Sequence, residues 1–446
     1  MLAFSPVPPI PAHPLLVFLL QVGLLLLMAT LLGRLAVRLG MPAVVGELCT
    51  GVILGPSILS HIWPSLSEGL FPPNTTQFHL LDAVGQIGVL LLVGITGVHL
   101  DLGLVKKNGL ISANVSFFGL IIPLGLGVAT GLLLPASLVA SSKDQTVFAL
   151  FLGVAMCVSA IPVIAKTLID MNLLHRNVGQ FTLTAGMVDD AFGWFMLSIV
   201  SAMATSGLRT GTVAFSLAAM AGVLIFAVVA GRPLTRWAFQ VAGRSSDHSL
   251  TVAVAAALIL LSAAGTHALG LEAIFGAFII GILISEYGKP DPARLAPLRT
   301  IVLGVLAPIF FATAGLRMDL TALAKPEVLL FALLVLAIAI IGKFVGAYIG
   351  ARLSKLGHWE GLALGAAMNA RGVIEVIVAM AGLRLGVLNT ETYTIVILVA
   401  VVTSLMAPPL LRWAMSHVED TPQEQERAHA LLAYRGGGGS QGSAAA

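Results

Sequence analysis

Charge is what this sequence has least of. Only 10% of its 446 residues are Asp, Glu, Lys or Arg, while 58% are hydrophobic; soluble globular chains carry about 25% charged residues. That scarcity excludes water as the main solvent of the folded chain. Cysteine is nearly absent, and Cys49 and Cys157 both lie inside apolar runs. A disulfide framework and a CxxC metal or redox site are therefore excluded, and both thiols read as packing residues. Neither sign of charge dominates: a net charge of +3 in so apolar a chain speaks to membrane topology and not to nucleic acid. A cleavable leader is not expected, because the first apolar run, near Leu15 to Gly40, is too long and has no small-residue cleavage pattern.

What is present is a series of apolar runs of roughly 20 residues, the length an α-helix needs to cross about 30 Å of hydrocarbon. Breaks at Gly, Pro and charged clusters predict thirteen spans, near 15–38, 42–60, 80–99, 109–134, 146–170, 178–205, 211–231, 249–266, 270–287, 297–316, 326–351, 359–384 and 391–415. With that count, seventeen loop Lys and Arg fall on one side and five (Lys143, Arg209, Arg317, Lys325 and Arg384) on the other. Cytoplasmic loops are enriched in these residues, so the N-terminus is expected outside and the C-terminus in the cytoplasm. Lys106 and Lys107 need no role beyond this bias. Residues 1–14 then form an extracellular segment, 15–415 the transmembrane domain and 416–435 a cytoplasmic tail. The stretch 436–446, GGGGSQGSAAA, reads as an appended linker remnant.

Three pairs of segments, each seven spans apart, resemble one another. LLVGITGVHLDL (Leu91 to Leu102) pairs with FFATAGLRMDL (Phe310 to Leu320), LGVAMCVSAIPV (Leu152 to Val163) with LGAAMNARGVIE (Leu364 to Glu375), and VVGELCTGVIL with IFGAFIIGILI. An odd offset reverses orientation, which is the inverted-repeat plan of secondary transporters, with substrate bound at broken helices near the midplane. Pro162 predicts such a break between Cys157 and Ile161, leaving carbonyls that can hold a cation. Cys157, Ser159, Ala160 and Pro162 are thus candidate ion ligands or broken-helix residues, though Ser159 can equally bond back to a carbonyl. The Asn369-Ala370-Arg371-Gly372 segment is the matching interruption.

Asp189 and Asp190 lie in the middle of TLTAGMVDDAFGWFMLSIV. A carboxylate at that depth costs several kcal/mol unless hydrated, paired or protonated, so it marks a functional site. Adjacent helical positions point about 100° apart, so one can face a cavity while the other meets a neighbouring helix. Burial and a second carboxylate both favour retention of a proton. Once it leaves, carboxylate, hydroxyl and carbonyl oxygens suit a hard cation such as Na⁺ or Li⁺. Proton and cation competing for Asp190 and Asp189 suffices for exchange. Lys343 lies in a run where Gly342, Gly346 and Gly350 permit close helix approach, and its expected partner is one of the two aspartates. Arg371 and Glu375, four apart, are expected to pair and brace the broken helix. Glu47 and Glu272, near span ends, read as interfacial.

These residues and motifs resemble the monovalent cation:proton antiporter-2 family of the sodium/proton antiporter superfamily. The likeness runs over roughly 15–415 and includes VVGELCTGVILGPSIL, VDDAFGW, GLEAIFGAFIIGILISE, IIGKFVGAYIG and MNARGVIEVIVAMAGL. It implies an all-α integral membrane fold of thirteen transmembrane helices with an inverted repeat and two broken crossing helices. It also implies a homodimer in the plasma (inner) membrane, with a core (about 109–205 and 326–415) moving in elevator fashion against a dimerisation domain (about 15–60 and 211–287). By this resemblance Asp190 binds ion and proton, and Lys343 pairs with Asp189 as in electrogenic members, which implies two protons per sodium ion. No cofactor is implied. The NARG segment is similar to relatives that include potassium-handling members, so K⁺ stays open beside Na⁺ and Li⁺. No nucleotide-binding fingerprint follows Ala414, and nucleotide gating is not expected. A coupled exporter of an organic or ionophore-like solute would share the scaffold. An intramembrane aspartyl protease would not, since its two carboxyls must flank the scissile bond from separate helices, whereas here they are neighbours.

Overall fold

The computed structural model describes residues 9–72, 75–100, 102–134, 144–206, 210–245 and 248–425. Asp101, Lys143, Arg209, most of the 1–14 segment, the tail beyond 425 and the 436–446 remnant lie outside the described residues. Among those described, the regular structure is entirely helical. The α-helices are α1 (Ala12–Arg38), α2 (Ala43–Leu54), α3 (Leu59–Ile62), α4 (Pro64–Leu70), α5 (Thr75–Val98), α6 (Leu102–Leu133), α7 (Gln145–Cys157), α8 (Ile161–Asp170), α9 (Asn177–Ser206) and α10 (Thr210–Phe226). They continue with α11 (Arg232–Gly243), α12 (His248–Ala268), α13 (Ala273–Leu283), α14 (Pro292–Ile301), α15 (Ala307–Gly315), α16 (Pro326–Leu353), α17 (His358–Met368), α18 (Val373–Arg384) and α19 (Thr390–Met415).

Eleven helical stretches are long and apolar enough to cross a membrane, and the bent pair α17 and α18 raises this to twelve. The expected ninth span, 270–287, is shorter than the rest: α13 continues through one π-turn only to Gly288. Its first residues are taken by the turn that ends α12. Gly270 there has φ +74°, a left-handed conformation that glycine adopts without strain, and the Leu271 N–H returns to Thr266 O.

The chain divides into two compact units. The first comprises 1–98, 229–264 and 276–322, the second 99–228, 265–275 and 323–446. Within the first, α2 packs on α15 and α5 on α13 so closely that a Cβ on Gly51 would lie 2.0 Å from Ala312 O and one on Gly281 2.2 Å from Gly94 O. In the second, α16 packs against α6. Here Gly346 and Gly350 let the backbones meet, since a Cβ on either would fall 2.4 Å from Phe118 O or Asn114 O. Small residues at helix contacts do this in membranes, where burial from water provides no drive between helices. The same contact holds Lys343, one residue from Gly342, inside the unit, fully buried.

Candidate functional site

Two helices of the second unit break at its centre. α7 stops at Cys157, residues 158–160 are extended, and α8 begins at Ile161 with Pro162 in its first turn, where a missing N–H costs nothing. α17 stops at Met368, and α18 begins at Val373 after a Gly372 N-cap. The two interruptions touch: the Ala160 N–H donates to Ala370 O at 3.1 Å.

The last four carbonyls of a helix have no partner within it. Those of α7 were expected to be available to a cation, and in the structure they are already occupied. Cys157 Sγ donates to Val154 O at 3.3 Å, Arg371 reaches Ala155 O at 3.0 Å and Met156 O at 2.6 Å, and Lys343 Nζ reaches Cys157 O at 2.6 Å. α17 ends the same way. Its Gly365 O accepts from Asn369 Nδ2 at 3.2 Å, Ala366 O and Ala367 O from the backbone N–H groups of Asn369 and Ala370, and Met368 O from Ser159 Oγ at 2.9 Å. Two side-chain cations thus cap α7, where the helix dipole favours positive charge. Arg371 also donates to Ala339 O at 3.0 Å and pairs with Glu375 at 3.2 Å, and its own carbonyl accepts from Ser404. All five side chains (Lys343, Arg371, Glu375, Asp189 and Asp190) are buried.

The carboxylate doublet sits on α9, and its two members have opposite surroundings. Asp189 Oδ1 accepts from Ser116 at 2.6 Å, while Oδ2 lies 3.0 Å from Ser159 Oγ and pairs with Lys343 Nζ. Asp190 faces the backbone N–H of Ile161 at the start of α8. No side-chain donor reaches either of its oxygens, although the residue is 0% exposed. Their divergence follows from the roughly 100° between consecutive helical positions. Asp189 meets α6, α16 and Ser159 of the break, whereas Asp190 meets only the start of α8.

Ser116 and Ser404 take part in this centre without any signal in the sequence, since a lone Ser in an apolar helix more often bonds back to its own backbone. Glu272, near a span end, is buried, and both its oxygens accept from Arg384 Nη2 at 2.9 and 2.8 Å. The start of α9 is also held from an unforeseen direction. Arg176, just before it, bonds Val418 O, Asp420 and Glu424, and Glu424 accepts the Asn177 N–H at 2.6 Å. Burial opposes ionisation of Glu424. Hydrogen bonds from the N–H groups of Thr421 and Asn177 and the Thr421 hydroxyl, with the charge of Arg176, outweigh it and hold the carboxyl below its ordinary range. Among the described residues no group of three or more His, Cys, Asp and Glu is arranged to hold a metal ion.

Comparison with known proteins adds three findings. A family model described as sodium/hydrogen exchanger, transmembrane, matches residues 23–417. The Na⁺/H⁺ antiporter NhaS4 of Synechocystis sp. is 33% identical over 90% of this chain and 97% of its own length. The Na⁺/H⁺-K⁺ antiporter GerN of Bacillus cereus is 29% identical over 89% and 96%. The chain also matches cation/H⁺ antiporter 19 of Arabidopsis thaliana at 30% identity, spanning 49% of that longer protein. Among solved structures, the sodium proton antiporter MjNhaP1 of Methanocaldococcus jannaschii superimposes with a TM-score of 0.62 over 90% of this chain and 99% of its own, at 16% identity. That identity shows the fold alone.

Proposed function

This chain belongs to the sodium/hydrogen exchanger family of cation/proton antiporters, and from that premise we propose that Asp190 is the residue at which a monovalent cation, Na⁺ first, and a proton exclude one another. The observation that carries the reading is the asymmetry of the doublet. Asp189 is answered by the Ser116 hydroxyl and the Lys343 ammonium, with Ser159 Oγ at 3.0 Å, whereas Asp190, equally buried, meets no side-chain donor and only the Ile161 N–H at the start of α8. An isolated buried carboxylate is too costly to persist, so Asp190 holds a proton or a cation in turn. Because the α7 carbonyls are capped by Arg371 and Lys343, the cation draws its oxygens from Asp190 and Asp189, with the hydroxyls of Ser116 and Ser159 beside them.

The Lys343–Asp189 pair gives the exchange its charge. A cation entering between the carboxylates displaces the proton of Asp190 and loosens Lys343, which can then lose one of its own, so two protons move per ion and turnover is electrogenic. Li⁺ and K⁺ are the alternative cargoes. Thirteen spans result when α13 with its π-turn is counted as a crossing. The inverted repeat draws support from the helix contacts, since an offset of seven exchanges the α2–α15 pair (spans two and ten) with the α13–α5 pair (spans nine and three). In this reading the second unit, with both broken helices, is the transporting core of a plasma-membrane homodimer. It moves elevator-fashion, with the N-terminus outside.

Asp190→Asn in proteoliposomes tests the assignment. Cation-driven proton movement is expected to vanish, and exchange at the unsubstituted rate would refute the shared-ligand role.

A further inference from the structure

The first unit carries an open cavity of about 520 Å³, lined by none of the residues assigned to the exchange. Its walls are small residues of α1 (Ala29, Thr30 and Gly33) with Ala43 of α2 and Gly304 and Pro308. Gly304 lies in the π-helical stretch 302–306. Such bulges widen a helix locally and recur at functional sites. Three charged side chains also line the cavity: Arg34 and Arg38 from the last turns of α1, and Glu47 from the first turns of α2. A Cβ on Gly33 would lie 3.6 Å from Glu47 Oε1, so the carboxyl rests against α1 beside the arginines.

None of the three is paired with another. Arg34 and Arg38 are four apart on one helix face, where like charges repel. Glu47 is half-buried within an apolar helix, where an unanswered carboxylate is costly. Two guanidiniums suit a phosphodiester, which they can bind in bidentate fashion. With the phosphate held by the two guanidiniums, Glu47 beside them is left without a partner unless the same molecule carries a cation. The remaining wall is apolar, and the cavity sits where α1, an apolar helix with Leu27, Leu31 and Leu35 exposed, reaches its last turns. Basic pockets between membrane helices hold lipid head groups in this way.

We propose that this cavity binds one phosphatidylethanolamine molecule, its phosphate on Arg34 and Arg38, its ammonium on Glu47 and its upper acyl chains along α1. The ammonium donates hydrogen bonds to the carboxylate. A choline head group cannot, and a glycerol head group leaves Glu47 without a cationic partner.

The experiment is a lipid titration of delipidated protein in detergent, read by native mass spectrometry. Dioleoyl phosphatidylethanolamine, phosphatidylcholine and phosphatidylglycerol are compared, with water-soluble phosphoethanolamine as competitor. One ethanolamine lipid per chain is expected to be retained, with the other two weaker by about tenfold, the scale of one charge-assisted hydrogen bond. Glu47→Gln should bring the ethanolamine lipid down to the choline level, and Arg34→Gln with Arg38→Gln should weaken all three. Equal retention of the three lipids by the unsubstituted protein overturns the proposal with no variant needed, as does unchanged selectivity in Glu47→Gln. Displacement by phosphoethanolamine at the lipid's own concentration would show a head-group site without a lipid. Dimerisation that expels bound lipid would give the cavity to a second copy of the chain. Either result overturns it too. Because transport is not read, the result is independent of the exchange assignment.

Discussion

The charged pairs of the two units use the same chemistry in different solvents. In the first unit Arg317 Nη2 donates to both oxygens of Asp82, at 2.7 and 2.8 Å, with side chains 21% and 30% exposed. In the second, Lys343 holds Asp189 and Arg371 holds Glu375 with all four side chains 0% exposed. A pair open to solvent gains little, because water and salt screen it and would solvate either partner alone. A buried pair gains little as a pair either, but removing one member leaves a charge that nothing nearby can answer. Burial therefore changes what a substitution does more than it changes what the contact contributes. The second unit has built its centre from groups that cannot be removed singly, and it leaves one carboxylate, Asp190, outside that arrangement.

Four tests by substitution would break or sharpen this contrast. The largest effect on activity is expected at Asp190, where Asn should remove exchange while leaving the melting temperature in detergent at or above that of the unsubstituted protein. A large loss of stability would instead make Asp190 part of the buried framework. Next comes Arg371→Met, which strands Glu375 and two carbonyls of α7. Destabilisation of about 3–5 kcal/mol is expected, read as a fall in melting temperature, and Arg371→Met with Glu375→Leu should recover part of it. Lys343→Met with Asp189→Asn removes a whole pair. It is expected to preserve the fold and any remaining exchange but to abolish the response of flux to an imposed voltage. The smallest effect is expected for Arg317→Gln, at about 1 kcal/mol or less; a loss as large as that of Arg371→Met would erase the distinction between the units.

The contact between Arg176 and the segment 418–424 lies between these extremes and adds a pH dependence. Glu424 titrates below its ordinary value when folded, so its contribution is present above the unfolded value of 4.5 and is lost as pH falls through the lower folded one. Hydrogen exchange at the start of α9 should accelerate only in that acidic window, and Glu424→Gln should make it fast at neutral pH. Protection that does not vary with pH in the unsubstituted protein would mean that Glu424 does not hold the helix start.

Much of the architecture was readable because membrane solvent writes it plainly. Runs of apolar residues announce spans, and Pro162 announces the end of a helix at Cys157. The length of α13 was not readable, since no local pattern shows that the turn at Gly270 delays the helix to Ala273. Nor was the capping of α7. Pattern alone says that a broken helix exposes carbonyls, but whether a cation, water or a side chain meets them depends on what packs opposite.

The sequence by itself determined that this chain is a bundle of membrane helices with two adjacent carboxylates at mid-depth, because hydrophobic length and a charge within it are local properties. Only the tertiary structure decided which carboxylate is answered. Lys343, Ser116 and Ser159 converge on Asp189 from positions 154, 73 and 30 residues away. That convergence depends on glycine contacts between α6 and α16 and on two breaks meeting at Ala160 and Ala370, and chain order records none of it.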